Sequence, residues 1–500
     1  MNRAGQVILL GCCFVWPASP CVGFAADQPQ WGQAWSRNMV SDERGLPDSF
    51  DPRTGSNILW SAELGTETHA SPVVAGGRVF IGTNNGHPRD PAQQADRGVL
   101  MCFEEKSGRF LWQLTFPKRT EDTYFDWPHS GICSPVTVEQ DRAYFVNNRG
   151  EVLCLDLKEA SDTQRAGVAD VRSACPPGIV WRFDLPTGAG IWSHDAAHSG
   201  ILIHGDCLYL NTGTGVDNTH RRIRTPDAPS LVVLEKHTGR LLARDNEHIA
   251  PNIFHSTWSA PSLADVNGRA LVFFAAGNGI VYAFEPLTRP RSDASTLHTP
   301  TSLNCVWHFD FDPAAPKADV HRYNSNRREG PSNFYGMPVF DGNRLYVAGG
   351  GDIWWGKNQA WLKCLDATRT GDVTTNAVIW SYPLRKHVLS TPAVCNGLVF
   401  IADCGHTLHC VDARTGKACW THELEGEAWA SPLVADGKVY LGTRSGAFYV
   451  FAAARQKKLL SQIELDSAIS STATAANGIL YVATMNRLYA ARQGSVARQP

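Results

Sequence analysis

Residues 390–424 read STPAVCNGLVFIADCGHTLHCVDARTGKACWTHEL, and residues 430–465 read ASPLVADGKVYLGTRSGAFYVFAAARQKKLLSQIEL. Both open on a proline, run through an apolar strand to a turn (CNG or ADG), and return along a second strand with an aromatic residue at its centre. A third strand and a fourth follow, with apolar residues alternating and Gly, Asn or Asp marking the turns. That pattern is the signature of antiparallel hairpins. Self-similarity at a period of about 40 residues means stacked copies of one supersecondary unit. Each copy is a four-stranded meander.

The second-strand aromatic recurs as Phe80, Tyr144, Tyr209, Phe273, Tyr346, Phe400, Tyr440 and Tyr481, which makes eight units. The fourth-strand position recurs as Trp112, Trp181, Leu242, Trp307, Trp380, Trp420 and Leu460, which makes only seven. The missing strand is supplied at the other end by NILWSAEL, Asn57 to Leu64, with Trp60 in register. A ring whose last sheet is completed by an N-terminal strand accounts for both counts, and radial closure leaves no long exposed edge. The expected fold is all-β, an eight-bladed β-propeller over residues 57–492, preceded by an extension (27–56) and followed by a short tail (493–500). The turn DARTGK, Asp412 to Lys417, shows why its residues recur: Asp bonds the backbone of the turn it begins, and Gly416 takes a positive φ closed to larger residues.

The chain has 500 residues, 43% hydrophobic and only 19% charged, enough for a large core. Without its first 26 residues its formal charge is about −3, with no basic stripe, so nucleic acid is not an expected partner. Those 26 residues, MNRAGQVILLGCCFVWPASPCVGFAA, carry Arg3, an apolar run from Val7 to Trp16, and small residues at Gly23 and Ala25. This is the layout of a secretory signal with cleavage near Ala25 or Ala26, and a periplasmic or secreted location follows. A lipid anchor at Cys12 is the weaker alternative. No later segment is long and apolar enough to be a transmembrane span, and a monomer is expected. Of 14 cysteines, 11 lie beyond the signal. Cys102, Cys154, Cys364 and Cys410 occupy one repeat position where other copies carry Val233, Ala283, Val450 and Ala490, so they read as small core residues. Cys395, Cys404 and Cys419 crowd into one repeat and also read as core thiols, with a bridge as the alternative.

The strand-turn-strand CVDARTGKACW resembles the PQQ-like β-propeller repeat, shared by quinoprotein alcohol dehydrogenases and by BamB-type propellers. The stretches REGPSNFYGMPV and GGDIWWGKNQAWLKCLDATRTGD are similar to bacterial PQQ-binding-like propeller-repeat proteins. The resemblance covers residues 57 to 492 and implies the fold; it leaves function open, because one fold hosts unrelated activities.

Links between blades and loops between second and third strands open on one face, and the long insertions fall there: Asn84 to Arg97, Gly213 to Ser230, Gly350 to Gln359, and the segments near 113–133, 184–200, 244–258 and 312–336. Elaborated loops on one side of a rigid ring are where binding is placed. His69, Trp127, His129, His194, Asp195, His198, Trp258, Arg327, Tyr335, Asp352, Trp354 and Trp355 are expected to converge on that funnel. Aromatic walls with a few polar groups suit a planar or sugar-like ligand or a peptide segment. The alternative for each is a sealing Trp or a hydrogen-bonded His. His194 and His198 are four apart, but a link between strands is not a helix, and no metal site is expected from that spacing. No residue is assigned a catalytic role. Two functions remain: an exported binding or scaffold propeller without cofactor, its long-loop face taking a protein or glycan partner, or a dehydrogenase using PQQ and calcium to oxidise alcohols or sugars. The dehydrogenase resemblance implies adjacent cysteines beside the cofactor, yet the only adjacent pair, Cys12 and Cys13, lies in the signal.

Overall fold

The computed structural model describes residues 26–122, 125–158, 176–195, 200–287 and 299–496. Eight antiparallel sheets follow one another along the chain. Blades 1 to 7 span Val73–Pro117, Thr137–Asp184, Leu202–Arg244, Ser262–Asp310, Val339–Leu384, Ala393–Glu423 and Leu433–Glu464. Blade 8 takes three strands from Thr474–Val496 and its outer strand from Ser56–Glu63. Trp60 faces Ala490, and Ser56 pairs with Val496, so the closing strand reaches further than the repeat alone indicated.

In every blade the second-strand aromatic faces the small third-strand residue: Phe80 with Cys102, Tyr144 with Cys154, Tyr346 with Cys364 and Phe400 with Cys410. Each of those cysteines also faces a fourth-strand tryptophan, as Cys410 faces Trp420. A small residue between two large ones fills the sheet without overpacking. Opposite Val233 and Val450 the fourth strand places Ala243 and Ser461, not Leu242 and Leu460. The same bulge precedes this position in every blade, and in these two it takes up the leucine, so the leucines stand one residue before the tryptophan position.

The fourth-strand tryptophans hold neighbouring blades together. Trp380 of blade 5 donates its indole N–H to Ala413 O of blade 6 (3.0 Å) and lies over Gly416, where a Cβ would stand 2.6 Å from the ring. Gly416 has φ +71°, and Asp412 accepts from Thr415 N (2.8 Å), so the DARTGK turn is also the seat of the preceding blade's tryptophan. Trp60 repeats this contact across the closure, donating to Glu105 O of blade 1 (2.8 Å). All ten cysteines among the described residues are free thiols.

The segment before the closing strand crosses the ring and bonds the first strand, or its turn, in every blade. Val74 N and Val138 N donate to Gln28 O and Pro29 O (3.0 and 2.8 Å), and Leu263 N, Phe340 N and Val434 N donate to Trp35 O, Ser36 O and Met39 O (2.8, 3.3 and 2.9 Å). Asn38 pairs with Val394, Trp35 Nε1 donates to Ile203 O, and Asn477 N donates to Ala26 O. At its centre Arg37 is fully buried and donates to the carbonyls of Pro261, Trp31 and Gly200 (3.2, 3.1 and 3.2 Å). The channel is therefore closed at the short-turn side by a plug. Among the described residues no helix is long and apolar enough to cross a membrane.

Candidate functional site

Over blade 3 three distant stretches run side by side. Gly213–Val216 lies between the link entering the blade and the link leaving it. His194 N donates to Gly213 O and Gly215 N to Trp192 O on one side (3.0 and 3.2 Å); Val216 N donates to His255 O and Thr257 N to Thr214 O on the other (2.9 and 3.2 Å). Gly215 marks the narrowest point, since a Cβ there would stand 2.5 Å from His255 O and 2.8 Å from His194 Cβ. The chain then turns from Asp217 to His220, which has φ +56° and donates its backbone N–H to Asp217 O (3.0 Å).

This arrangement gathers three imidazoles. Ring centroids lie 4.7 Å apart for His194 and His255, 4.8 Å for His194 and His220, and 5.4 Å for His220 and His255. His194 and His255 are buried; His220 is half-buried. His194 Nδ1 lies 2.8 Å from Val216 O, and His255 Nδ1 2.8 Å from Asp352 Oδ2. A carbonyl and an ionised carboxylate only accept, so both Nδ1 atoms carry a hydrogen, and in the neutral ring Nε2 is the atom left with a lone pair. Asp195 stands beside them, its carboxylate oxygens 3.5 Å from His194 Nε2 and 3.8 Å from His255 Nε2.

Electrostatics follow from burial and these partners. Burial, helped by His255 and His220, holds His194 well below the usual imidazole range. Burial pushes Asp195 up to about 6, against the pull of His255. Asp352 is fully buried, which alone would raise its pKa. His255, the Tyr335 hydroxyl and the N–H groups of Trp354 and Trp355 (3.0 and 2.7 Å) outweigh burial and hold it ionised. In return, Asp352 and Asp195 carry His255 above its ordinary value despite the burial that opposes it.

Beside the imidazoles rises an aromatic wall: Trp258 meets Tyr335 edge-on (5.0 Å) and Trp354 at a tilt (5.4 Å), Trp354 meets Trp429 (6.0 Å), and Trp429 stacks with His69 (6.3 Å). These residues enclose a cavity of about 720 Å³ on the long-loop face, and Trp31 of the plug lines it too. It is a blind funnel.

Of the expected residues, His69, Trp127, Asp195, Trp258, Tyr335, Trp354 and Trp355 line the cavity. Asp352 sits directly behind it, bonded to His255 of its wall, and His194 lies against the same imidazole with ring centroids 4.7 Å apart. His129 stays exposed beside Asp96 (3.7 Å) and outside the lining. Arg327 also lies outside; its guanidinium clamps the loop carrying the tryptophans by donating to Ile353 O, Gly356 O and Trp354 O. His198 lies outside the described residues. Sequence reasoning missed His220, His255, Trp31, Trp429 and Arg444. His220 stands in the flagged insertion Gly213 to Ser230 and His255 in the flagged link 244–258, so position on the long-loop face was the available signal.

The architecture is thus that of a closed eight-bladed propeller with one deep site on its elaborated face. The sequence profile of the family described as outer membrane protein assembly factor BamB matches residues 44–166 and 358–496, over half of the chain, and the protein belongs to this family of PQQ-like repeat propellers. Between the two matched stretches lie His194, Asp195, His220, His255, Trp258, Tyr335, Asp352, Trp354 and Trp355. No curated protein matches the sequence. Among solved structures, BamB from Moraxella catarrhalis is 13% identical with a TM-score of 0.53, covering 87% of this chain and 99% of that one. A europium-containing methanol dehydrogenase is 11% identical with a TM-score of 0.57, covering 91% and 89%. The computationally designed Ika8 protein is 11% identical with a TM-score of 0.50, covering 87% and 99%. At such identities the likeness is one of fold alone.

Proposed function

We propose that this is an exported, non-catalytic binding propeller whose long-loop funnel receives a chain end of a protein or glycan partner. The observation that carries the reading is the blind, tryptophan-walled funnel of about 720 Å³. Flat apolar faces beside a few fixed polar groups suit stacking of a sugar ring or a side chain. BamB, the described family's assembly factor, is consistent with a partner-binding role for such a ring.

The dehydrogenase alternative requires a place for PQQ and calcium, and the funnel's residues do not fit that pair. Calcium takes six to eight oxygen ligands, whereas the buried donors here are imidazole nitrogens. Both Asp352 oxygens are already engaged by His255, Tyr335, Trp354 and Trp355. Among the described residues Cys133 is the one cysteine lining the funnel and Arg444 the one lining arginine or lysine, a poor match to a cysteine pair and a multiply charged quinone.

Export is part of the proposal. Ala26 N lies 2.7 Å from Glu43 Oε1, so cleavage after Ala25 places the new α-ammonium against a buried carboxylate. Titration of the purified mature protein with PQQ, with and without Ca²⁺, followed by tryptophan quenching, tests the reading. No saturable quenching is expected, whereas glycans or peptides from a screen should quench in a manner lost in Trp354→Ala. One-to-one, Ca²⁺-dependent PQQ binding would overturn it.

A further inference from the structure

We propose that His194, His220 and His255 form a mononuclear site for a divalent transition metal of the zinc or copper type, with Asp195 as fourth protein donor and the funnel on its open side. One ligand atom from each histidine lies within 4.8 Å of the other two. In a tetrahedral zinc site, bonds of about 2.0–2.1 Å separate donors by about 3.4 Å. Closing that difference takes small rotations, and His220 sits on a half-buried turn suited to supply them.

Four observations support the assignment. The hydrogen-bond partners are those of metal-bound imidazoles: a carboxylate on His255 Nδ1 and a backbone carbonyl on His194 Nδ1 fix each ring and turn Nε2 inward. His255 Nε2 and Asp195 Oδ1 are buried with no hydrogen-bond partner, with His255 Nε2 3.8 Å from the other Asp195 oxygen, and one shared cation would satisfy both. Two carboxylates also stand against the imidazoles, Asp195 beside His194 and His255 Nε2 (3.5 and 3.8 Å) and Asp352 on His255 Nδ1 (2.8 Å), which suits a cation held between them. Nitrogen donors select a borderline metal over calcium or magnesium. His220 and His255 line the cavity, so a metal there keeps an exchangeable position toward whatever enters the funnel.

The inference does not depend on the funnel's organic ligand, and its test is separate. Tag-free mature protein, dialysed against chelator, is titrated with Co²⁺ and then with Zn²⁺, following the visible absorption of four-coordinate cobalt. One equivalent of Co²⁺ should bind with micromolar or tighter affinity and be displaced by one equivalent of Zn²⁺. His255→Ala should abolish the bands. His220→Ala, which keeps the backbone bonds of its half-buried turn, should weaken binding at least tenfold with an unchanged circular dichroism spectrum. Asp352→Asn, acting through His255, should weaken it by about ten- to a hundredfold and shift the bands. Absence of cobalt bands at millimolar metal, or the same bands and stoichiometry in His220→Ala and His255→Ala, would overturn the assignment.

Discussion

His255 and Asp352, held on different blades and 97 positions apart in sequence, meet at 2.8 Å with both side chains buried. Asp352 also receives Tyr335 and two backbone N–H groups, so one carboxylate organises the wall of the funnel. Asp352→Asn keeps the shape but loses the charge and misaligns one donor. A loss of about 2–3 kcal/mol of stability is expected, seen as a lower urea midpoint with unchanged far-ultraviolet dichroism.

Gly215→Ala should damage the site more than its size implies. The added methyl would meet His255 O at 2.5 Å and His194 Cβ at 2.8 Å, both fixed by backbone pairing. Relief requires the two histidine-bearing links to part, costing about 1–3 kcal/mol. Thermal unfolding measures the loss, and funnel ligands should bind more weakly.

Arg37 contributes through three carbonyls, with no carboxylate partner, and burial lowers its pKa to about 10. Arg37→Ala leaves Trp31, Gly200 and Pro261 carbonyls buried and unpaired. About 3 kcal/mol of destabilisation is expected by denaturant titration.

Asp245 gives a pH signature away from the funnel. Burial raises its pKa to about 6, although Ser230 N and Leu231 N both donate to it (2.6 and 2.7 Å). An unfolded aspartate titrates near 3.9. Between about pH 4 and 6 the folded chain therefore holds a proton that the unfolded chain has released, and this residue's contribution to stability falls as pH rises through that window, by up to about 3 kcal/mol. Asp245→Asn should remove this slope; comparing unfolding free energies of variant and wild type at pH 4.5 and 7 isolates it from other carboxylates.

How far the sequence was legible depends on whether a feature repeats. The aromatic facing a cysteine, valine or alanine and the Asp-Thr-Gly turn recur along the chain, the single spare Trp60 strand copies the recurring fourth strand, and the ring followed from them. Leu242 and Leu460 were assigned one residue off because Ala243 and Ser461, small residues without an aromatic mark, hold the tryptophan position there, while each leucine falls in the bulge before it. The funnel was legible as a face but not as a constellation. His194, His220 and His255 come together only because Gly213–Val216 threads between two links, and no local pattern encodes that pairing. Likewise nothing in residues 27–56 repeats, so their crossing of the ring was invisible beforehand.

That crossing also fixes when the molecule is finished. Asp27 bonds Asn477 across 450 positions, and Glu43 bonds Gly478 across 435. During synthesis the stretch from Ala26 to Glu63 is made before any of the blades it will join, and its last partners do not exist until blade 8 has been made. Contacts of such long range fold slowly. An interrupted or truncated chain would thus display an apolar, tryptophan-bearing ribbon and an open sheet edge together, a combination that quality control can recognise and that only a completed chain hides.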